Sequence, residues 1–180
     1  VNPNYDPRAL SLTTLTDPEP YAHLSQEPHD ILNRYSLLSQ LGFLLSAKEK
    51  LEANGSIITL IGGRIPSYAI AECFSRAGLQ HRKLFTSFKR QSDVQFLKEY
   101  SEYETTHGIQ FAFYDYTVAR ELLQKKFGVM IPEIIPDVDD ETLKEILSPA
   151  LLSANEAYRQ SLQGRVVGHL AYAFEAWAPL

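Results

Sequence analysis

The sequence predicts an α/β protein built on a doubly wound, parallel sheet that turns antiparallel at one edge. Three observations point there. Ser56-Ile57-Ile58-Thr59-Leu60-Ile61 is a short apolar run bounded by Gly55 and Gly62, the pattern of a strand covered on both faces. Around it, segments of helical and strand period follow in the order helix, strand, helix, strand, strand. After a further helix, a last strand from Val166 to Trp177 closes the chain.

Each element has its own signal. From Tyr5 to His29 the prolines Pro7, Pro18, Pro20 and Pro28 stand among Thr, Asp and Ser without periodicity, so residues 1–29 read as an ordered loop or lid and residues 30–180 as the α/β body. Asp30 is a suitable N-cap. Ile31, Leu32, Tyr35, Leu38, Leu41, Leu45 and Leu51 then recur at helical spacing up to Asn54-Gly55, with a bend expected near Gly42-Phe43. Beyond the buried strand, Pro66 opens a helix whose apolar face holds Tyr68, Ile70, Ala71, Phe74 and Ala77, and Gly78 ends it. His81 to Gln91 and Ile109 to Tyr114 alternate as strands, separated by a polar helix from Asp93 to Thr106. Helices are expected from Thr117 to Phe127, after the acidic group Asp137, Asp139, Asp140 and Glu141, and from Ser153 to Leu162. Those acids read as helix-capping groups in preference to ligands for a hard cation.

Composition narrows the function classes. The 180 residues carry a formal charge of −5, distributed without the basic face that a phosphate backbone requires, so nucleic acid is not an expected partner. No apolar run reaches the length of a membrane span, and the single cysteine, Cys73, cannot form an internal disulfide, which together suggest the cytoplasm. Cys73 shares the apolar stripe of its helix with Phe74 and reads as a small buried hydrophobe. His81, His107 and His169 lack metal-ligand spacing, and no metal is expected. Tyr114-Asp115-Tyr116 either lines a pocket mouth or covers the sheet edge.

Two short segments carry chemistry. Asn2-Pro3-Asn4-Tyr5 is a pinned turn beside an aromatic ring, able to present fixed hydrogen-bond acceptors, although Asn-Pro also simply initiates turns. Gly62-Gly63-Arg64 follows the buried strand.

On these residues the chain resembles the carboxy-terminal half of a class I S-adenosylmethionine-dependent methyltransferase, a Rossmann-like fold, most closely the methionine S-methyltransferase-like domains. Asn2-Pro3-Asn4-Tyr5 stands where that superfamily carries its Asn/Asp-Pro-Pro-Tyr/Phe signature, with Asn4 replacing the second proline. Asn54 to Pro66 resembles the fifth strand and its Gly-Gly-Arg-x-Pro turn. Similarity continues through Cys73 to Leu79, Lys83 to Thr86 and Phe111 to Tyr114, and ends in Ser153 to Tyr158 and Val167 to Leu170. No Gly-x-Gly-x-x-Gly lies in the chain. The resemblance therefore implies that S-adenosylmethionine is bound mainly by residues outside it, on a missing amino-terminal half or a second chain.

What the resemblance implies can be argued physically. Methyl transfer from a sulfonium is an in-line displacement, so positioning supplies most of the rate and a thioether nucleophile needs no general base. Asn2 and the Pro3 carbonyl would hold a small-molecule methyl acceptor, an amino acid or a related thioether or amine. The ring of Tyr5 would favour the positive charge that develops. Asn4, Tyr35 and Gly63 fall beside the substrate in this scheme, and Arg64 offers a planar fork to a carboxylate. Packing under the proline-rich loop is the other reading of Tyr5, and a surface ion pair that of Arg64. The alternative for the whole chain is a noncatalytic half-domain kept for assembly. Either way, a half-sheet leaves an unpaired edge, so contact with another chain or a second copy is expected beside Ser56 to Ile61.

Overall fold

The computed structural model describes residues 19–26, 30–91, 93–128, 134–136 and 138–179. Its strands are β1 (Ile57–Gly62), β2 (Gln80–Gln91), β3 (Phe113–Asp115), β4 (Ile134–Ile135), β5 (Leu151–Leu152) and β6 (Val167–Trp177). Its helices are α1 (Ile31–Arg34), α2 (Leu38–Lys48), α3 (Ser67–Arg76), α4 (Val94–His107), α5 (Tyr116–Phe127), α6 (Asp140–Leu147) and α7 (Ala154–Leu162). Short 3-10 turns cover Glu19–Leu24 and Ser148–Ala150.

The strands form one six-stranded sheet, and every pairing among the described residues is antiparallel. This corrects the parallel, Rossmann-like half-sheet expected from the sequence. β6 lies at the centre. Along one edge it pairs with the whole of β2, from Gln80↔Trp177 to Gln91↔Val167, with an irregularity between Lys83 and Phe85. Its other edge is shared, with β1 on Ala171 to Ala176 and β3 on Val167 and Gly168. β1 and β2 therefore run in the same direction and are joined by α3, but the slot between them is filled by a reversed strand from the end of the chain.

The run read as covered on both faces is covered on one. Ile57, Thr59 and Ile61 are buried, whereas Ile58 and Leu60 are each 60% exposed. An apolar run records which residues can be buried, and the neighbours decide which are.

The buried face of β1 packs under α2 and α3, where Leu38, Leu41, Leu44, Ile70, Cys73 and Phe74 complete the core. Gln40 reaches down from α2 and donates to the Thr59 hydroxyl at 3.0 Å, which satisfies the one polar side chain on that face. Burial pushes the Cys73 thiol up to about 12, so it stays protonated.

The long first helix breaks at Ser36, not at Gly42-Phe43. Ser36 adopts φ 56°, and the Leu37 N–H reaches back to the Leu32 carbonyl at 2.7 Å, a Schellman-type stop without glycine. Ile109 to Ala112, expected to be strand, remains irregular because its donors go elsewhere. Phe111 N–H meets the Glu104 carboxylate at 2.7 Å, and Ala112 N–H meets the Arg64 carbonyl at 3.0 Å.

Asp30 is more than an N-cap. Its carboxylate accepts from Leu32 N–H (2.9 Å), from Gln26 N–H (2.9 Å) and from Arg76 Nη1 (2.7 Å). Arg76 also donates to the Leu24 carbonyl, so one buried ion pair ties the entry segment to α3. Burial alone would raise the Asp30 pKa, but the Arg76 guanidinium and the two backbone donors outweigh it and hold it below the ordinary 3.8. Its contribution to stability is therefore present above that value and is lost as pH falls through the lower folded pKa. Arg76→Ala leaves a buried carboxylate unpaired and is expected to cost ~3–5 kcal/mol in urea unfolding at neutral pH, with the loss shrinking in acid.

Candidate functional site

β1 ends at Gly62, and the chain turns at once into a cleft of about 530 Å³. Gly63, Arg64, Ile65 and Pro66 form one wall, with Gln110, Phe111 and Ala112 beside them. Lys144, Glu145 and Ser148 on the exposed side of α6 and its following turn, together with Leu151, form the opposite rim. Tyr114 from β3 and Tyr172 from β6 supply two buried rings.

Close packing fixes the turn. Gly63 N–H donates to the Leu170 carbonyl at 2.7 Å, which extends the β1–β6 ladder by one bond. A Cβ at Gly63 would stand 2.6 Å from Leu170 Cβ and 2.9 Å from the Tyr172 ring, so any side chain there displaces the wall. Gly168 has the same role deeper in the sheet, where a Cβ would meet the Phe88 ring at 2.4 Å. Phe88 in turn packs edge-on against Tyr114 at 6.1 Å. Lys83 lies over the Tyr172 ring at 5.5 Å and pairs with Asp140 at 2.5 Å, so a member of the acidic group fixes the back of the cleft.

Among the described residues neither the Tyr114 nor the Tyr172 hydroxyl has a hydrogen-bond partner, and both rings line the cleft. Burial pushes the Tyr114 phenol up to about 12. Tyr172 is raised too, by burial first and then by Asp140 and Tyr114. At neutral pH both are uncharged groups that donate or accept.

Of the residues singled out from the sequence, Gly63, Arg64 and Tyr114 meet at this cleft. Tyr35 lines a neighbouring one that shares Gln110, and its ring stands edge-on to Phe111 at 5.9 Å. The Tyr35 hydroxyl lies 3.2 Å from that of Tyr68, and burial together with this contact pushes it up to about 12. Asn2, Pro3, Asn4 and Tyr5 lie outside the described residues.

Arg64 makes neither a surface ion pair nor an open clamp. Its guanidinium folds back over Gly62 and lies 5.0 Å from the ring centres of Phe96 and Tyr100 and 5.9 Å from Phe113. Those rings are not part of the cleft wall, and the buried Arg64 Nε has no partner. Each ring contact is worth ~0.5–2 kcal/mol, so among the described residues the cation is held by aromatic faces and pairs with no carboxylate.

Sequence reading missed Glu104, which sets the second wall. Its buried carboxylate accepts from Phe111 N–H (2.7 Å), Ala154 N–H (2.9 Å) and Asn155 N–H (3.2 Å), joining the cleft loop to the start of α7. The signal was there: Leu97, Tyr100, Ser101 and Glu104 form the buried stripe of α4, so an acid sits where helical period calls for burial. Tyr172 was equally legible as one of three large residues, Leu170, Tyr172 and Phe174, on one face of β6.

No known family model matches this chain, and no curated protein matches it. Among the described residues no group of three or more His, Cys, Asp or Glu side chains could hold a metal ion. No helix among them is long and apolar enough to cross a membrane.

Two outcomes follow from this geometry. Gly63→Ala is expected to cost ~1–3 kcal/mol by overpacking Leu170 and Tyr172, read as a lowered Tm. His169 has a buried, unpartnered Nδ1, and burial, with Arg64 and Lys89 nearby, lowers its pKa to about 3. The unfolded chain binds this proton below about 6.5 while the folded chain does not, so stability falls with pH from 6.5 toward 3, by up to ~1.4 kcal/mol per pH unit. An NMR titration is expected to show the His169 ring neutral at pH 5.

Proposed function

We propose that this chain forms the acceptor side of an S-adenosylmethionine-dependent methyltransferase acting on a small molecule, within the class of amino acids, thioethers and amines that the resemblance implies. The observation that carries this reading is the cleft at the Gly62-Gly63-Arg64 turn. It opens where β1 ends, and it presents two neutral hydroxyls beside the apolar surface of Ile65, Pro66, Phe111 and Leu151. Such a wall can orient an acceptor and exclude water, which is most of what an in-line displacement asks of a protein.

The described residues do not provide a site for the cofactor itself. Its ribose diol calls for an acidic side chain at a strand end, and the one acid on the cleft, Glu145, sits on an exposed helix face. The methyl donor is therefore assigned to residues beyond those described, and a cytoplasmic location accompanies this reading. Calorimetry on this chain alone is expected to show no micromolar affinity for S-adenosylmethionine. Paired with a cofactor-binding portion, it is expected to transfer labelled methyl groups to a small acceptor, and Tyr172→Ala to abolish the transfer. Absence of any transfer by the complete assembly would remove the reading.

A second reading rests on a different observation. Leu60, Ala173 and Phe85 share a row on one sheet face, where Leu60 is 60% and Phe85 37% exposed, and β1 has one strand partner among the described residues. An apolar face beside a free edge suits a half-domain kept for assembly. Leu60→Lys is expected to weaken association in sedimentation under this reading, with the cleft left intact.

A further inference from the structure

We infer that the cleft beside Gly63 takes an uncharged, ring-bearing small molecule whose hydrogen-bond acceptor is read by the hydroxyls of Tyr114 and Tyr172. The inference rests on the proposed function only in taking this cleft for the acceptor site.

Shape and lining set the body of the ligand. Ile65, Pro66, Phe111 and Leu151 offer flat or branched apolar surface, and the cleft volume of about 530 Å³ suits one or two rings. The polar end is set by the two phenols, which have no hydrogen-bond partner among the described residues. Neither hydroxyl is among the buried polar atoms left without a partner, so both open to the cleft, where a ligand acceptor can meet them.

Charge decides the class. Among the described residues the Arg64 guanidinium lies over Phe96, Tyr100 and Phe113, and Lys83 is paired with Asp140. Lys144 stands on the exposed rim. A carboxylate placed against Tyr114 and Tyr172 would lose its water, whereas an uncharged acceptor meets the two phenols at a smaller desolvation cost. Burial also holds both phenols in their neutral form, in which they donate to a carbonyl or amide oxygen.

The test is a matched pair of thioethers, 4-(methylthio)benzamide and 4-(methylthio)benzoate, titrated by calorimetry into the full chain without cofactor. The benzamide is expected to bind at least about tenfold more tightly than the benzoate. Tyr114→Phe and Tyr172→Phe keep the rings and are each expected to weaken benzamide binding about tenfold, with an unchanged circular dichroism spectrum. Equal or tighter binding of the benzoate, no binding of either compound at millimolar concentration, or unchanged affinity in both Phe variants would overturn the inference. Failure of the methyltransferase reading shows separately, as benzamide binding without methyl transfer in the complete assembly.

Discussion

The structure depends on one shared strand. β6 supplies hydrogen bonds to β2 along one edge and to β1 and β3 along the other, so three separate stretches of chain are held in register by residues 167–177. Its contacts are almost all of long sequence separation. Closing such pairs costs chain entropy before any ladder bond forms, and the buried Leu170, Tyr172 and Phe174 are what offset it. The cleft follows directly from this arrangement. β1 and β3 meet the same edge of β6 but stop short of each other, and the Gly63 turn and the loop before β3 fill the interval and form one wall of the cleft.

Buried polar groups then fix what the ladder leaves loose. Glu104 gathers three backbone donors from two segments, and Asp30 gathers two backbone donors and an arginine. Arg64 achieves the same end by stacking on rings. In each case a charge that is costly to bury is placed where its partners belong to different elements, so the interaction specifies the arrangement of the chain as much as it stabilises it. The two tyrosine hydroxyls of the cleft differ, because their partners are missing from the described residues.

Much of the local structure was legible. The strands expected over His81 to Gln91 and Val166 to Trp177, the helix after Pro66 and the helix expected from Ser153 to Leu162 all form within a residue of where period put them. So do the helix over residues 94–107 and the burial of Cys73. The misreadings share a cause. Ser36 takes a left-handed φ although serine does not favour it, and Ile109 to Ala112 alternates like a strand while its donors are taken by a carboxylate and a turn. Neither outcome is encoded within the segment that shows it. Of the candidate site, the sequence pointed to Gly63 and Arg64 through their position after a buried strand and to Tyr114 as one reading of its segment, and it could not show that the Arg64 guanidinium lies over three rings.

By itself the sequence determined most of the longer helices and strands and which stripe of each can be buried, because period and capping act over a few residues. Tertiary structure alone decided that β6 enters between β1 and β2, that every strand pairing among the described residues is antiparallel, and that two tyrosines distant in the chain line one cleft. Strand direction and neighbour are set by contacts between residues far apart in sequence, and an apolar run is equally compatible with one covered face or two.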